Sequence, residues 1–340
     1  MSDKHKKKRR GKRKIQILGL LLLMTTLGGC AVFPAGGKSQ TAEEDGTAVV
    51  EASADQTVEK WQEGNVSYNG QTYRYNTRIK TYLFLGIDKK GTVEKEDDQL
   101  LGGQSDAMFL LVENPDQKKL SVIAIQRNTM ADIETYDSAG NYTGMKKQQI
   151  CLAHGYGDGM YLSCQRSADA VSKLFYSIPI NGYLAMNMEG IAEMNDALGG
   201  VTVTPEEDIH VGDTALKAGE TVILNGEQAY VYLRYRDVNE DDSATARMHR
   251  QMEYLTNLFE KLKGDTSTNM LLAAYQKTES YIVTNVDFAS LITEIKDYTA
   301  DTAGIYEIPG EVYYGKFEEY HADDTALYEL ILDIFYDKVQ

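Results

Sequence analysis

The stretch that decides the fold is Thr-Tyr-Leu-Phe-Leu-Gly-Ile, residues 81–87. Its apolar and aromatic composition predicts a buried β-strand. Two further apolar runs, residues 107–113 and 120–125, are separated by Asn-Pro-Asp-Gln at residues 114–117, a composition typical of turns. The sequence therefore predicts a β-hairpin that follows the first strand.

Helical and strand patterns alternate through the rest of the chain. Helical periodicity occurs in six segments: residues 163–176, 189–198, 225–235, 246–262, 288–298 and 325–339. Short strands are predicted at residues 201–203 and 305–308. This alternation, together with one hairpin, predicts an α/β fold: a three-layer α-β-α arrangement with a central mixed sheet flanked by helices on both faces.

The amino terminus has the pattern of an export signal. A basic segment, residues 4–14, precedes an apolar run at residues 15–27 that is too short to span a bilayer comfortably. Leu-Gly-Gly-Cys at residues 27–30 resembles a lipobox. We therefore expect a signal peptide at residues 1–29, lipidation of Cys30 and attachment to the extracytoplasmic face of the cell membrane. The alternative is a single-pass anchor with its basic end in the cytoplasm.

The remaining chain divides by composition. Residues 30–76 are rich in Gly, Ser, Thr, Ala and Glu and predict an extracytoplasmic tether, with order possible near residues 61–75. The main globular part is residues 77–263, and residues 264–340 either complete the same domain or form an accessory lobe. Cys151 and Cys164 permit a disulfide in an exported protein, and two buried free thiols are the alternative.

An arginine cluster stands out in a chain of net charge −16. Only eight arginines follow residue 14, and four of them lie between Arg234 and Arg250. A guanidinium fork suits paired phosphate oxygens, so the cluster predicts a phosphate or pyrophosphate site. The alternative is a solvated helix face with surface ion pairs. We expect no nucleic-acid partner for so acidic a chain.

The arginines fall into two groups. Arg247, Arg250 and Gln251 share one broad face of the predicted helix 246–262. Arg234 and Arg236 end the preceding segment and point the same way if it is extended. The two groups can converge across the acidic loop at residues 237–243.

Two acids and another arginine stand at predicted strand ends. Asp88 follows the first strand and Asp106 precedes the second, so their carboxylates can hold Mg²⁺ beside phosphate oxygens if the strands are neighbours. The alternative for each acid alone is a turn or cap residue. Arg127 follows the strand that ends near residue 125.

Together these positions resemble the LytR–CpsA–Psr family of cell-wall polymer ligases, over residues 81–263. The blocks that carry the resemblance occur in order: Gly-Ile-Asp (86–88), Ser-Asp (105–106), Ile-Gln-Arg-Asn-Thr (125–129), Asp-Ala-Leu-Gly-Gly-Val (196–201), Leu-Asn-Gly-Glu-Gln-Ala (224–229), and Tyr-Leu-Arg-Tyr-Arg (232–236) followed by Arg247, Arg250 and Gln251.

The resemblance implies a function and a site within a catalytic domain at residues 77–263. It implies transfer of a phosphoglycan from undecaprenyl pyrophosphate to a peptidoglycan hydroxyl, with Mg²⁺ or Mn²⁺ bound by Asp88 and Asp106. It implies catalytic roles for Arg127, Arg234, Arg236 and Arg247. The pyrophosphate-binding residues that it implies are Arg127, Arg234, Arg236, Arg247, Arg250 and Gln251.

The lipid pocket and the general base have several candidates. Apolar residues available for a pocket that holds the lipid tail are Leu174, Phe175, Ile178, Leu184, Met186, Met188, Ile191 and Met194. The candidate bases are Asp237, Asp241 and Asp242. His154 is either a proton carrier or a structural residue.

The chain departs from the family pattern at several positions. Gln104 stands where the family usually has Arg, and Asn128 stands where it usually has Asp. Lys90 keeps the charge of a usual basic residue, and Gln-Ile-Cys at residues 149–151 replaces a Lys-Ile-Asn block. Two alternatives therefore stay open: a catalytically impaired scaffold that binds polyprenyl pyrophosphate or cell wall, and a lipid pyrophosphatase that uses water as acceptor.

Overall fold

The computed structural model describes residues 64–237, 240, 242–262, 268–287, 290–291, 294 and 298–339. The expected signal peptide, the lipidation site Cys30 and most of the expected tether lie outside these residues and stay predictions. Within the described ranges, no helix combines the length and the apolar character needed to cross a membrane.

The elements are numbered in chain order. The strands are β1 (Asn65–Tyr68), β2 (Gln71–Tyr75), β3 (Lys80–Ile87), β4 (Ser105–Asn114), β5 (Lys119–Ala124), β6 (Met130–Tyr136), β7 (Tyr142–Gln149), β8 (Gly182–Asn187), β9 (Val201–Val203), β10 (Ile209–Val211), β11 (Thr214–Leu216), β12 (Val222–Leu224), β13 (Ile282–Thr284), β14 (Thr299–Glu307), β15 (Gly310–Tyr314), β16 (Glu318–Ala322) and β17 (Tyr336–Val339). The helices are α1 (Tyr161–Leu174), α2 (Glu189–Ala197), α3 (Gly226–Arg234), α4 (Ser243–Leu262), α5 (Thr268–Thr278) and α6 (Asp324–Phe335).

A six-stranded mixed sheet lies at the centre, in the order β13-β8-β3-β4-β5-β14. β4 pairs antiparallel with both β3 and β5, which confirms the predicted hairpin. β3–β8 and β5–β14 are parallel pairs, and β8–β13 is antiparallel. The sheet is therefore mixed, as the sequence predicts.

Helices cover both faces of this sheet. Along β3, Leu83 and Leu85 face a core that contains residues of α1 and α6, whereas Tyr82 and Phe84 face a core formed with α2, α3, α4 and α5. Because both faces of the central strands are covered, these strands are apolar almost throughout. The three-layer α/β prediction is confirmed.

The ends of the described chain meet in a small sheet, β1-β2-β17. β1 and β2 lie within residues 61–75, the part of the expected tether for which the sequence allows ordered structure. β17, at the carboxyl-terminal end of the described chain, pairs with β2. The prediction of one helix over residues 325–339 is wrong at its end. The helix ends at Phe335 and residues 336–339 are a strand, because pairing with β2 outweighs the local periodicity. The segment 288–298 falls largely outside the described residues.

The described residues after position 263 contribute to the main sheet and to structure beside it. It supplies the edge strands β13 and β14 and the hairpin β15–β16. This hairpin packs beside the turn at residues 126–129, where the Tyr320 amide donates to the Asn128 carbonyl at 2.9 Å. Cys151 and Cys164 are buried free thiols, which decides between the two alternatives for these residues.

Candidate active site

Asp106 lies at the centre of the candidate site, at the start of β4. Its Oδ2 accepts a hydrogen bond of 2.8 Å from Nη1 of Arg247, on α4. Its Oδ1 lies 2.8 Å from Nε of Arg127, just beyond β5, in an ion pair without hydrogen-bond geometry. The Asp106 carboxylate therefore contacts two arginines that are far apart in the sequence, at the amino-terminal end of β4.

Arg247 has a donor that points at no described acceptor. Its side chain is 7% exposed, and Nη2 is buried without a hydrogen-bond partner in the described part of the chain. Burial lowers the pKa of Arg247, Asp106 raises it, and the nearby charges of Arg127 and Arg236 lower it. A buried N–H without an acceptor is costly, so this geometry favours an anionic oxygen as the missing partner.

The position of α3 determines where Arg234 and Arg236 lie. Asn225 and Gln228 form a capping box that fixes where α3 begins, and Arg234 is its last residue. The Arg234 guanidinium donates to the Tyr230 hydroxyl. Tyr235 is extended, with φ −51° and ψ 134°, so the idea that residues 234–236 alternate along one extended segment is wrong for Arg234.

Arg236 lies beyond this helix end and has two described partners. Its Nε donates to the Ser243 hydroxyl at 2.8 Å, and its Nη2 donates to Glu318 Oε2 at 3.2 Å. Arg127 and Arg247 share the Asp106 carboxylate, and the charges of Arg127 and Arg236 both lower the pKa of Arg247. The structure thus brings Arg236 of one group near Arg247 of the other.

Asp88 directly follows β3. Its Oδ1 accepts a hydrogen bond of 2.6 Å from the Gln104 amide. Asp88 is exposed at the surface, yet partial desolvation by its neighbours raises its pKa and the Gln104 amide lowers it, while Asp106 raises it and Arg127 and Arg234 lower it. Asp88 therefore lies near the second carboxylate, Arg127 and Arg234. Within the described ranges, no cluster of three or more His, Cys, Asp or Glu side chains could hold a metal.

Arg250 makes a different set of contacts. Its Nε donates to the Tyr232 carbonyl at 3.3 Å, its Nη2 donates to the Tyr235 carbonyl, and its Nη1 pairs with Glu207. These donors hold the carboxyl-terminal end of α3 and help to fix the helix end at Arg234. The pyrophosphate contact expected for Arg250 stays a prediction.

Gln251 has a similar anchoring role. Its Nε2 donates to the Leu233 carbonyl at 3.1 Å, so the predicted pyrophosphate contact is not made by this donor. Gln251 instead lines the apolar cavity described next, together with Arg234.

An apolar cavity of about 220 Å³ lies between the sheet and the helices α2, α3 and α4. Residues that represent its walls are Phe84, Ala107, Leu184, Met186, Met194 and Leu258. Because Arg234 also lines it, the cavity reaches the arginine cluster. The arrangement can hold an apolar chain whose anionic head lies among the guanidinium groups.

Five of the eight residues proposed for a lipid pocket line this cavity: Leu184, Met186, Met188, Ile191 and Met194. The prediction is wrong for Leu174, Phe175 and Ile178. These three pack in the core on the opposite face of the sheet, because α1 covers that face. Periodicity shows that a residue is apolar, but it does not show which face of the sheet its helix covers.

Gln104 and Asn128, the two residues that differ from the family pattern, both contact Arg127 in the site. Gln104 Oε1 accepts a hydrogen bond from Arg127, and Asn128 Oδ1 accepts one of 3.2 Å from Arg127 Nη1. Both replacement residues therefore act as acceptors that hold Arg127. His154 is fully buried, burial lowers its pKa to about 4, and its Nδ1 lies 3.0 Å from the Gly102 carbonyl oxygen, which fits the structural alternative.

Sequence reasoning missed Glu318, on β16. Its carboxylate contacts Asn128 and Arg236, although it lies outside the blocks that carry the resemblance. No spacing in the sequence could have found it. Among the candidate bases, Asp241 lies outside the described residues, and Asp242 Oδ1 accepts a hydrogen bond of 2.5 Å from the Tyr314 hydroxyl.

Comparison with known proteins gives a consistent result. The chain matches the family described as the LytR_cpsA_psr family over residues 39–329. It is 28% identical to Biofilm regulatory protein A of Streptococcus mutans, covering 67% of this chain and 56% of that protein. It is 26% identical to the polyisoprenyl-teichoic acid–peptidoglycan teichoic acid transferase TagU of Enterococcus faecalis, covering 72% of this chain and 71% of that protein.

Solved structures show the same fold. The chain matches the crystal structure of Bacillus subtilis TagV with a TM-score of 0.58 and 22% identity, covering 76% of this chain and 96% of that one. It matches B. subtilis TagT with a TM-score of 0.55 and 22% identity, covering 76% of this chain and 90% of that one. At this level of identity the structural matches establish the fold alone.

Proposed function

The chain belongs to the LytR–CpsA–Psr family, and from this premise we propose that it transfers a phosphoglycan from undecaprenyl pyrophosphate to a peptidoglycan hydroxyl. The name of the E. faecalis relative describes a reaction of this type, which supports the proposal. The observation that carries it is the buried Arg247 Nη2, which has no hydrogen-bond partner among the described residues, in an arginine cluster that adjoins an apolar cavity.

The two parts of the site suit the two parts of a lipid pyrophosphate. The cavity offers apolar walls to a polyprenyl tail, and Arg234 stands where the cavity meets the charged region. The guanidinium groups of Arg127, Arg236 and Arg247 then face the head group. Arginine forks held in place before the reaction bind phosphate oxygens without the cost of reorganisation.

The proposed reaction is a substitution at the glycan-proximal phosphorus. The acceptor hydroxyl oxygen forms a bond to this phosphorus, and the bond from the phosphorus to the bridging oxygen breaks. Undecaprenyl phosphate leaves with the electron pair, and the hydroxyl proton passes to a base. The arginines stabilise the charge that develops on the bridging and non-bridging oxygens.

We also propose a site for Mg²⁺ or Mn²⁺, and the two predicted ligands fit it unequally. Asp88 Oδ1 accepts one backbone amide, and its carboxylate lies among the phosphate-binding arginines. Both oxygens of Asp106 already face guanidinium groups, which compete with a cation. Asp88 is therefore the main protein ligand, and Asp106 chiefly positions the arginines. Bound Mg²⁺ would add positive charge to the phosphate oxygens and keep water ligands.

This proposal predicts how metal binding responds to mutation and pH. Asp88→Asn should weaken Mg²⁺ binding in the presence of inorganic pyrophosphate by about 10-fold or more, since Mg²⁺ is held by only one or two carboxylates. Partial desolvation raises the pKa of Asp88, so protons compete with the metal at a higher pH than for an ordinary aspartate, and affinity falls as the pH is lowered.

Calorimetric titration of the full chain measures this effect without any turnover. Asp213→Asn, in the exposed turn between β10 and β11, removes the same charge at a solvent-facing position and serves as the control. Equal Mg²⁺ affinity in the Asp88 variant and the wild type would rule out the proposed ligand.

We further propose that Cys30 carries the lipid that attaches the protein to the extracytoplasmic face of the membrane. The proposal is supported by Leu-Gly-Gly-Cys at residues 27–30 and the basic and apolar segments before it. Labelling of the expressed chain with a radioactive fatty acid should be abolished by Cys30→Ala. Labelling that persists in this variant would rule out Cys30 as the acylated residue, and an unlabelled wild-type chain in the membrane would favour the alternative single-pass anchor.

A transfer assay tests the reaction itself. The full chain in detergent is incubated with an undecaprenyl-pyrophosphate-linked oligosaccharide and Mg²⁺, with and without peptidoglycan fragments. We expect product that depends on the peptidoglycan acceptor. Release of the glycan phosphate by water alone would support a lipid pyrophosphatase instead. Tight binding without turnover would support the impaired scaffold.

A further inference from the structure

Glu318 is a buried carboxylate that reaches the arginine cluster from a distant hairpin. Its side chain is 10% exposed. Oε2 accepts a hydrogen bond of 3.2 Å from Arg236 Nη2, and Oε1 accepts one of 2.8 Å from Asn128 Nδ2. Its backbone carbonyl accepts a hydrogen bond of 2.7 Å from Gln149 Nε2. The residue is therefore fixed by both side-chain and backbone contacts.

Asn128 extends this contact to a second arginine. Its amide donates to Glu318 through Nδ2 and accepts from Arg127 Nη1 through Oδ1 at 3.2 Å. An amide can donate to a carboxylate and accept from a guanidinium at the same time, whereas an ionised carboxylate can only accept, so the neighbours fix the orientation of the Asn128 amide. An aspartate at position 128 would instead face Glu318 as a second negative charge. The identity of residue 128 is thus matched to Glu318.

We propose that Glu318 is a positioning residue for phosphoglycan transfer, which holds Arg236 directly and Arg127 through Asn128. The inference rests on the proposed function. Asn128 stands where the family usually has an acid, and the structure assigns the negative charge near this position to Glu318, on β16. The carboxyl-terminal hairpin thereby becomes a part of the active site.

The electrostatics of the cluster explain why such a residue is useful. Arg127 and Arg236 both lower the pKa of Arg247, which reflects repulsion between the Arg247 charge and each of the other two. A carboxylate beside Arg236 offsets part of this repulsion and fixes the direction of the fork. Without this carboxylate, the net positive charge facing a phosphate increases, but the Arg236 guanidinium is no longer held in one orientation. Substrate binding should then be kept, and the chemical step should slow.

The first experiment therefore separates kcat from KM. Glu318→Gln should lower kcat for transfer by about 10-fold or more, as expected for misplaced reacting groups, while KM for the lipid-linked substrate stays unchanged or falls. The control is Glu319→Gln, the next residue on β16, whose carboxylate pairs with His321 at 2.9 Å and is 41% exposed. This variant should behave as the wild type. Wild-type kcat in Glu318→Gln, or a higher KM at unchanged kcat, would overturn the inference.

A charge swap tests the connection through residue 128. Asn128→Asp alone brings two carboxylates together and should lower both kcat and the melting temperature. In the double variant Asn128→Asp with Glu318→Gln, the new Gln amide donates to the new carboxylate. We expect kcat to recover to within about 3-fold of the wild type, because the effects of mutations at contacting residues are not additive. A double variant no more active than the worse single variant would contradict the proposed connection.

An arginine signal distinguishes failure of this inference from failure of the proposed function. In the full chain labelled with ¹⁵N-arginine, the Nε–H resonances of Arg127 and Arg236 should change in Glu318→Gln, recover in the double variant and stay unchanged in Glu319→Gln. If the wild type shows no transfer but these resonances respond as expected, only the proposed function is wrong. If they are the same in Glu318→Gln and the wild type, the positioning role is wrong whatever the activity.

Discussion

Replacing Arg247 by lysine is expected to lower kcat for phosphoglycan transfer by on the order of 100-fold or more, the usual effect of removing one preorganised donor. A lysine keeps the positive charge and can still pair with Asp106. It cannot also place a second donor where Nη2 now lies buried without a described partner. The fork, rather than the charge, is what the site loses.

The measurement is kcat for transfer by the full chain under saturating lipid-linked substrate. Arg74→Lys provides the matched control, because Arg74 makes an exposed hydrogen bond to Asn65 on the small sheet away from the cluster. The melting temperatures of both variants show whether Arg247→Lys is folded. Full activity in a folded Arg247→Lys protein would show that bidentate binding is not needed.

Filling the apolar cavity is expected to have the second largest effect. Leu184 lies on β8 and lines the cavity, so Leu184→Trp places an indole in the space proposed for the lipid tail. Loss of contact with four methylene groups corresponds to about 3 kcal/mol, or about 100-fold in affinity for the undecaprenyl substrate. Inorganic pyrophosphate has no tail, so its affinity should not change.

Binding of the two ligands to the full chain provides the measurement. Ile223→Trp adds the same side chain at a position that is 65% exposed and serves as the control. An equal loss of affinity for both ligands in Leu184→Trp would indicate damage to the fold. Unchanged affinity for the undecaprenyl ligand would place the tail elsewhere.

The sequence predicts the sheet and its helices well because local patterns specify them. The apolar strand 81–87 and the turn at residues 114–117 correspond to β3 and to the β4–β5 hairpin. The carboxyl terminus is different, since residues 336–339 become a strand only by pairing with β2, far away along the chain. Long-range pairing of this kind leaves no local pattern.

The candidate site shows the same division. The sequence brings Arg234, Arg236 and Arg247 together because they are close along the chain and of one residue type. It cannot show that the donors of Arg250 turn to the carbonyls at the end of α3, since this depends on where that helix ends. Glu318 is found only in three dimensions, because the hairpin β15–β16 docks on the turn that follows β5.

The central claim is that one anionic head group lies among several arginines beside an apolar cavity. The direct measurement is the affinity of the full chain for undecaprenyl pyrophosphate, compared with undecaprenyl phosphate and with inorganic pyrophosphate. We predict that the lipid pyrophosphate binds more tightly than either other ligand, and that Arg247→Lys removes most of its advantage over the monophosphate. Equal affinity for the lipid pyrophosphate and the lipid monophosphate, unchanged by Arg247→Lys, would contradict the claim.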